Sequence, residues 1–103
     1  MKYANHIGWS DVNPFEVIKV ISDKTIEVRE MEAVRDESVK MEFIPGGFSA
    51  HCTNQDDQKW IITSDESNPV IRIRLSVKKG WRDRTGRRFV LQDEPVKFYD
   101  YNF

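Results

Sequence analysis

The sequence predicts a small, mainly β domain with little helix. β-Branched and aromatic residues concentrate in short segments about ten residues apart, several segments alternate apolar with polar residues, and no helical period persists beyond about two turns. With 103 residues, 39% of them hydrophobic, the chain can bury one modest core, so we expect a single domain over residues 1–103. An SH3-like barrel fits the length, an early long hairpin and a later meander, and an OB-like barrel is the alternative.

The first predicted unit is a hairpin. Residues 14–22 (PFEVIKVIS) are rich in β-branched residues, residues 25–32 (TIEVREME) alternate, and Asp23–Lys24 separates them. Further strands are predicted at residues 41–44, 59–63, 69–77 and 89–92, and a last strand or tail at residues 96–103. Turns are predicted at residues 45–47 (PGG), 64–68, 78–81 and within 82–88, and residues 33–40 fit a loop or one helical turn.

The clearest strand, residues 69–77, has two different faces. One face carries Ile71, Ile73, Leu75 and Val77, and the other carries Val70, Arg72, Arg74 and Ser76. The apolar face is predicted to meet the core, which leaves the arginines on the other side of the sheet.

The charges are distributed very unevenly along the chain. Residues 69–88 contain eight basic residues and one acid, a local charge of +7, whereas the rest of the chain has eight basic and sixteen acidic residues. This pattern predicts a polyanion-binding hairpin in which arginines hold phosphates and Trp81, if exposed, stacks on a base. The predicted contact residues are Arg72, Arg74, Lys78, Lys79, Trp81, Arg82, Arg84 and Arg87.

Two other interpretations of the same charges remain open. The arginines of the hairpin can instead pair with Glu27, Glu30 and Glu32 across the sheet and serve only solubility. Alternatively, the acidic stretches near residues 30–37 and 56–66 imitate DNA or meet a basic partner protein.

Adjacent His51 and Cys52 raise the question of a thiol enzyme. Neighbouring residues of an extended segment point to opposite faces, so His51 is a poor base for Cys52, and a lone cysteine is usually a small buried hydrophobe. Cys52 is the only cysteine, so no disulfide forms within the chain. A catalytic centre at Cys52 is the weakest hypothesis.

No metal or cofactor is expected. The paired ligand spacing of a structural zinc site is missing, and the PGG turn lacks the Lys-Ser/Thr of a P-loop. The polar residues around Cys52 offer a second-choice ligand loop, although their amides can equally satisfy local backbone groups. These loop candidates are His51, Asn54, Gln55 and Gln58.

Several motifs together resemble those of a group of small proteins encoded by bacteriophages and plasmid-like elements. The motifs are GWSDVNPFEV, KTIEVREM, FIPGGFSAHCTNQ, VIRIRL and KFYDYNF, and they extend over nearly the whole chain. The resemblance transfers no catalytic residue. It implies a protein of a mobile element that acts by stoichiometric binding on host defence nucleases, their nucleic acids or their nucleotide messengers.

These observations favour a non-enzymatic binding protein in a counter-defence (anti-CRISPR-like) or accessory role. Its expected partner is nucleic acid or a host defence protein that handles nucleic acid. The alternative is an oligomeric sponge for a small nucleotide, with the 45–58 loop and the aromatic tail lining the pocket.

The first ten residues lack the apolar core of a signal peptide and no apolar run spans a membrane, so the cytoplasm of the bacterial host is the expected location. A homodimer through the aromatic C-terminal strand is left open.

Overall fold

The computed structural model describes residues 2–38, 43–46, 49–52 and 58–99, with the backbone alone described in the two four-residue segments. Within these ranges the chain forms β-strands and no helix. The strands are β1 (Tyr3–Ile7), β2 (Val12–Ser22), β3 (Thr25–Glu30), β4 (Glu32–Arg35), β5 (Phe43–Gly46), β6 (Ser49–Cys52), β7 (Trp60–Thr63), β8 (Val70–Ser76), β9 (Gly80–Arg82) and β10 (Arg88–Gln92). Six of them close an antiparallel barrel in the order β1-β10-β9-β8-β3-β2, which confirms the prediction of a small, mainly β barrel.

The two sequence features that pointed to a barrel are both present. Strands β2 and β3 form the early hairpin, and the Ser22–Thr25 pair leaves Asp23 and Lys24 as its two-residue turn. Strands β8, β9 and β10 follow one another as a meander. The barrel closes because β1 pairs with β2 on one side and with β10 on the other.

Strand β1 was not predicted from the sequence. Its residues, Tyr-Ala-Asn-His-Ile, lack the alternation of apolar and polar side chains that marks a half-buried strand. Ala4 and Asn5 are both fully buried although they lie on opposite faces, because the C-terminal segment covers the outer side of the strand. Because both faces of β1 are buried, the strand lacks the alternation of apolar and polar residues from which it could have been predicted.

The core lies inside the barrel. Phe15, Phe89 and Ile73 are among its buried side chains, and the rings of Phe15 and Phe89 meet edge to face with centroids 5.0 Å apart. The predicted apolar face of β8 is only partly inside: Ile73 is fully buried, whereas Leu75 is 39% and Val77 95% exposed. Val77 lies beyond the end of the strand, where no neighbouring strand covers it.

Two small sheets lie outside the barrel, and they correct three predictions. Strands β4 and β7 pair, so part of the predicted loop at residues 33–40 is a strand. Strands β5 and β6 pair, with Pro45 opposite Ala50 and Gly46 opposite Ser49. The turn predicted at 45–47 is therefore wrong for Pro45 and Gly46, which lie in β5, and Gly47 lies outside the described residues. The stretch 49–52, assigned to a loop, is strand β6.

A C-terminal strap, residues 93–99, passes over the barrel and is held by one buried amide. Asn5 donates to Gln92 Oε1 at 2.6 Å and to the Glu94 carbonyl at 3.0 Å, and its Oδ1 accepts from the Val96 N–H at 2.8 Å. Phe98 then makes an isolated bridge with Val12. Of the predicted strand or tail at 96–103, the described part thus forms a single bridge, and residues 100–103 lie outside the described ranges.

No helix of sufficient length and apolarity to cross a membrane occurs in the described part of the chain.

Candidate functional site

A basic groove of about 1250 Å³ runs along β8 and is bounded on its other side by the loop between β9 and β10. Most of its lining residues are exposed, so the groove is open to solvent. We define the basic groove by its lining residues, which are Val70, Ile71, Arg72, Arg74, Leu75, Ser76, Lys79, Arg82, Asp83, Arg84, Thr85, Gly86 and Arg87. Six of these side chains are basic and one is acidic.

Three arginines are aligned across the outer face of the barrel beside this groove. Arg74 on β8 pairs in register with Arg82 on β9, and Arg82 pairs in turn with Arg88 on β10. Residues directly opposite in an antiparallel sheet share a face, and like charges in such pairs are destabilising. We call Arg74, Arg82 and Arg88 the arginine row.

Acidic side chains neutralise little of this charge. Arg72 lies opposite Glu27 and contacts its carboxylate at 3.3 Å, whereas Arg74 lies opposite Thr25. In the described ranges no carboxylate lies within ion-pair distance of Arg74, Lys79, Arg82, Arg84 or Arg88. Of the ion pairs predicted between the arginines of the hairpin and Glu27, Glu30 or Glu32, the described residues form the Arg72–Glu27 pair.

The loop between β9 and β10 is built around Asp83. Its carboxylate, 4% exposed, accepts from the N–H and hydroxyl of Thr85 at 2.9 and 2.7 Å, and from the N–H and Nε of Arg87 at 2.9 and 2.5 Å. Arg82 connects this loop to the β8–β9 turn, because its guanidinium donates to the carbonyl of Gly86 at 3.1 Å and to that of Lys79 at 2.8 Å. Gly86 has a φ of 92°, a conformation that glycine adopts readily.

These hydrogen bonds keep Asp83 ionised. Burial alone would raise the pKa of its carboxyl, but the bonds from Thr85 and Arg87 outweigh burial and lower the pKa to about 2. The acid of the groove is therefore occupied by its own loop, whereas Arg74, Lys79 and Arg84 are exposed.

The structure brings most of the predicted contact residues together. Arg72, Arg74, Lys79, Arg82, Arg84 and Arg87 all line the groove. Lys78 is exposed on the β8–β9 turn and lies outside the lining. Trp81, whose exposure the sequence left open, is partly buried and packs against the barrel core.

The second-choice loop is only partly described. His51 and Cys52 are the last two residues of β6, while Asn54 and Gln55 lie outside the described residues. Gln58 is engaged within the protein: its Oε1 accepts from Trp60 Nε1 at 2.7 Å and from the Tyr99 N–H at 2.9 Å, and its Nε2 donates to the Tyr99 carbonyl at 2.8 Å. Its amide therefore ties the C-terminal strap to β7.

His6 lies at the edge of the core and has no neighbouring ligand set. Burial and then the positive charge of Arg87 lower its pKa, which favours the neutral imidazole. Its ring centroid lies 5.4 Å from that of Phe89. Among the residues that the structure describes, no cluster of three or more histidine, cysteine, aspartate or glutamate side chains is arranged to hold a metal ion.

Two residues of this surface, Arg88 and Trp9, were not predicted from the sequence as contact residues. Arg88 contributed to the charge count but was not chosen as a contact, because its alignment with Arg82 depends on a register that the sequence does not show. Trp9, which is 91% exposed, is the most exposed of the three tryptophans. Its position between the turn-forming Gly8 and Ser10 was the available signal.

A scan against protein-family models found no matching family, and searches of curated proteins and of solved structures found no match to this chain.

Proposed function

We propose that this protein is a non-enzymatic nucleic-acid-binding protein that holds phosphates in the basic groove. The observation that carries the proposal is the arginine row. Three like charges occupy directly opposite positions on neighbouring strands, an arrangement that destabilises a sheet by itself. Sequences commonly break local stability rules at functional sites, and here a bound polyanion would supply the missing negative charge.

The size of the groove favours an extended ligand. Pockets for drug-sized molecules have volumes of about 300–1000 Å³ and enclose most of the ligand. The groove, at about 1250 Å³, is larger and lined mainly by exposed residues, as a site that follows a nucleic-acid backbone requires. A small nucleotide messenger, the alternative ligand, would contact only part of it.

The wider role rests on the resemblance to small proteins of bacteriophages and plasmid-like elements. We propose that the protein serves such an element by binding nucleic acid, or a host defence protein that handles nucleic acid, in a counter-defence or accessory role. Because an arginine-rich surface recognises backbone phosphates through charge alone, the binding is expected to be weakly dependent on base sequence.

The test is a titration of labelled DNA and RNA oligonucleotides against salt, using the wild type, Arg74→Glu and Arg88→Glu. The guanidinium groups of these two arginines make no hydrogen bond to a described residue, so reversing their charge should leave the loop intact. Lys59→Glu, which reverses an exposed cation that precedes β7 and is not among the groove-lining residues, is the matched control.

We expect wild-type affinity to fall steeply with salt, by about tenfold or more between 50 and 200 mM for several phosphate contacts. The two arginine variants should bind less tightly and show a shallower salt slope, and Lys59→Glu should resemble the wild type. If the wild type binds no oligonucleotide at low salt, the nucleic-acid proposal is wrong. Binding of a cyclic or linear nucleotide alone, seen as a raised melting temperature, would favour the sponge.

A further inference from the structure

The turn that carries Trp9 emerges at the same end of the barrel as the Asp83 loop. Ile7, the last residue of β1, lies opposite both Val12 on β2 and Arg88 on β10. The turn at residues 8–11 and the loop at residues 83–87 therefore leave the barrel side by side. Two spacings between neighbouring strands, about 10 Å, separate β1 from β9.

The arginine row leads directly towards this turn. On the outer face, the register continues from Arg74 through Arg82 and Arg88 to Ile7, and Trp9 follows two residues later. A polyanion that follows the row away from the groove would therefore arrive at Trp9.

The turn and the groove also lie near one cluster of rings. The Arg87 guanidinium lies 5.9 Å from the centroids of the Phe15 and Phe89 rings, and His6 packs against both rings. A Cβ atom added at Gly8 would lie 3.7 Å from His6 Cε1, so the backbone of Gly8 passes close to the same cluster.

The side chain of Trp9 is exposed to solvent and is not packed in the core. The turn is closed by a hydrogen bond from the Gly8 N–H to the Asp11 carbonyl at 2.8 Å, which leaves Trp9 and Ser10 at its tip. A tryptophan that is 91% exposed keeps a large apolar ring in water. An aromatic ring beside a row of cations is the combination with which proteins bind unpaired bases, because every base offers a stacking face.

We infer that Trp9 is the base-stacking residue of the interface, and that the ligand is single-stranded nucleic acid. The inference rests on the proposed function and adds the class of ligand and a contact outside the groove. The arginine row holds the backbone, and the indole of Trp9 stacks on a base that a duplex would keep paired.

The experiment compares three probes by fluorescence anisotropy and competition: a single-stranded oligonucleotide of about 12 nucleotides, which is within the site sizes of small nucleic-acid-binding barrels, a duplex of equal length, and inorganic polyphosphate, which has no bases. The variants are Trp9→Ala, Trp9→Phe and Trp9→Leu. Val77→Ala is the matched control, since Val77 is 95% exposed at the opposite end of the barrel. Unchanged melting temperatures establish that the variants are folded.

The expected result is that Trp9→Ala and Trp9→Leu weaken single-strand binding about 5- to 100-fold, that Trp9→Phe largely restores it, and that polyphosphate binding does not change. Equal single-strand affinity in Trp9→Ala, an equal loss for polyphosphate, or tighter binding of the duplex would each overturn the inference while leaving a polyanion site at the groove. A wild type that binds none of the three probes would overturn the inference and the proposed function together.

Discussion

Arg74 on β8 and Arg82 on β9 occupy directly opposite positions on the outer face of the barrel, and neither forms an ion pair with a described residue. Two residues away on the same face, Arg72 lies opposite Glu27 and is paired with it. Arg72 and Arg74, on the same face of one strand, thus lie in opposite electrostatic surroundings.

Arg74→Gln should stabilise the unliganded protein. Removing one member of an opposed like-charge pair relieves repulsion of about 0.2–1 kcal/mol, whereas Arg72→Gln removes an attractive exposed pair and should be neutral or slightly destabilising. Urea unfolding at low salt measures both changes. The gain from Arg74→Gln should shrink at high salt because exposed charges are screened. A loss of stability in Arg74→Gln would show that the guanidinium has a structural partner.

Asp83 should make the loop between β9 and β10 sensitive to strong acid. Its pKa in the folded protein, about 2, lies below the ordinary value of 3.8, so its charge stabilises the folded state above pH about 5 and this contribution is lost as the pH falls through about 2. Because solvent screens part of this interaction, the contribution is expected to be about 1 kcal/mol.

Comparison of the wild type with Asp83→Asn isolates this effect, because Asp36 and Asp65 also have lowered pKa values and remain in both proteins. The difference in unfolding free energy, measured by urea titration, should be largest at pH 7 and close to its minimum near pH 2. A difference that is the same at both pH values would mean that the carboxylate charge does not hold the loop.

Asn5→Ala should be among the most damaging polar substitutions in the barrel. It removes three hydrogen bonds and leaves the Val96 N–H and the Glu94 carbonyl without their partner, at an expected cost of about 2–3 kcal/mol. Asn68→Ala is the control, because Asn68 makes a more exposed bond to the Glu30 carbonyl at 3.0 Å and should cost about 1 kcal/mol. Thermal unfolding of both variants provides the measurement, and equal costs would contradict the role of Asn5 as the anchor of the strap.

Gly80→Ala should destabilise the β8–β9 turn through the backbone alone. Gly80 has a φ of 71°, and a Cβ atom there would meet nothing within 4 Å, so the expected cost of about 1 kcal/mol is conformational. Gly80→Asn should cost less, since asparagine tolerates this region better than alanine. If both variants unfold at the same denaturant concentration as the wild type, the positive φ is not required.

Some parts of this structure follow from local sequence and others depend on distant contacts. The β2–β3 hairpin was predictable because Asp23 and Lys24 interrupt two strongly β-forming segments. The groove was predictable as a charge density, since Arg72, Arg74 and the β9–β10 cations are close in sequence as well as in space.

Register and long-range burial were not predictable in the same way. The alignment of Arg88 with Arg82 depends on how β9 and β10 pair, and strand β1 is recognisable only when β10 and the C-terminal strap cover it. The turn at Pro45 and Gly46 was misplaced because proline and glycine favour turns in general, whereas here both are accommodated in a two-stranded hairpin. The exposure of Trp9 is likewise a property of the finished barrel.

The pairing of β1 with β10 is expected to form late in folding. Most neighbouring strands of the barrel follow one another along the chain, and β3 and β8 are the exception because β4 to β7 lie between them. The pairing of β1 with β10 joins the first and last strands of the barrel, so it carries the highest loop-closure cost. Until it forms, the sheet has two unpaired edges, and the hydrophobic residues 89–91 of β10 lie on one of them. Arg88 lies at the start of that edge, and we expect its charge to discourage pairing with a second chain.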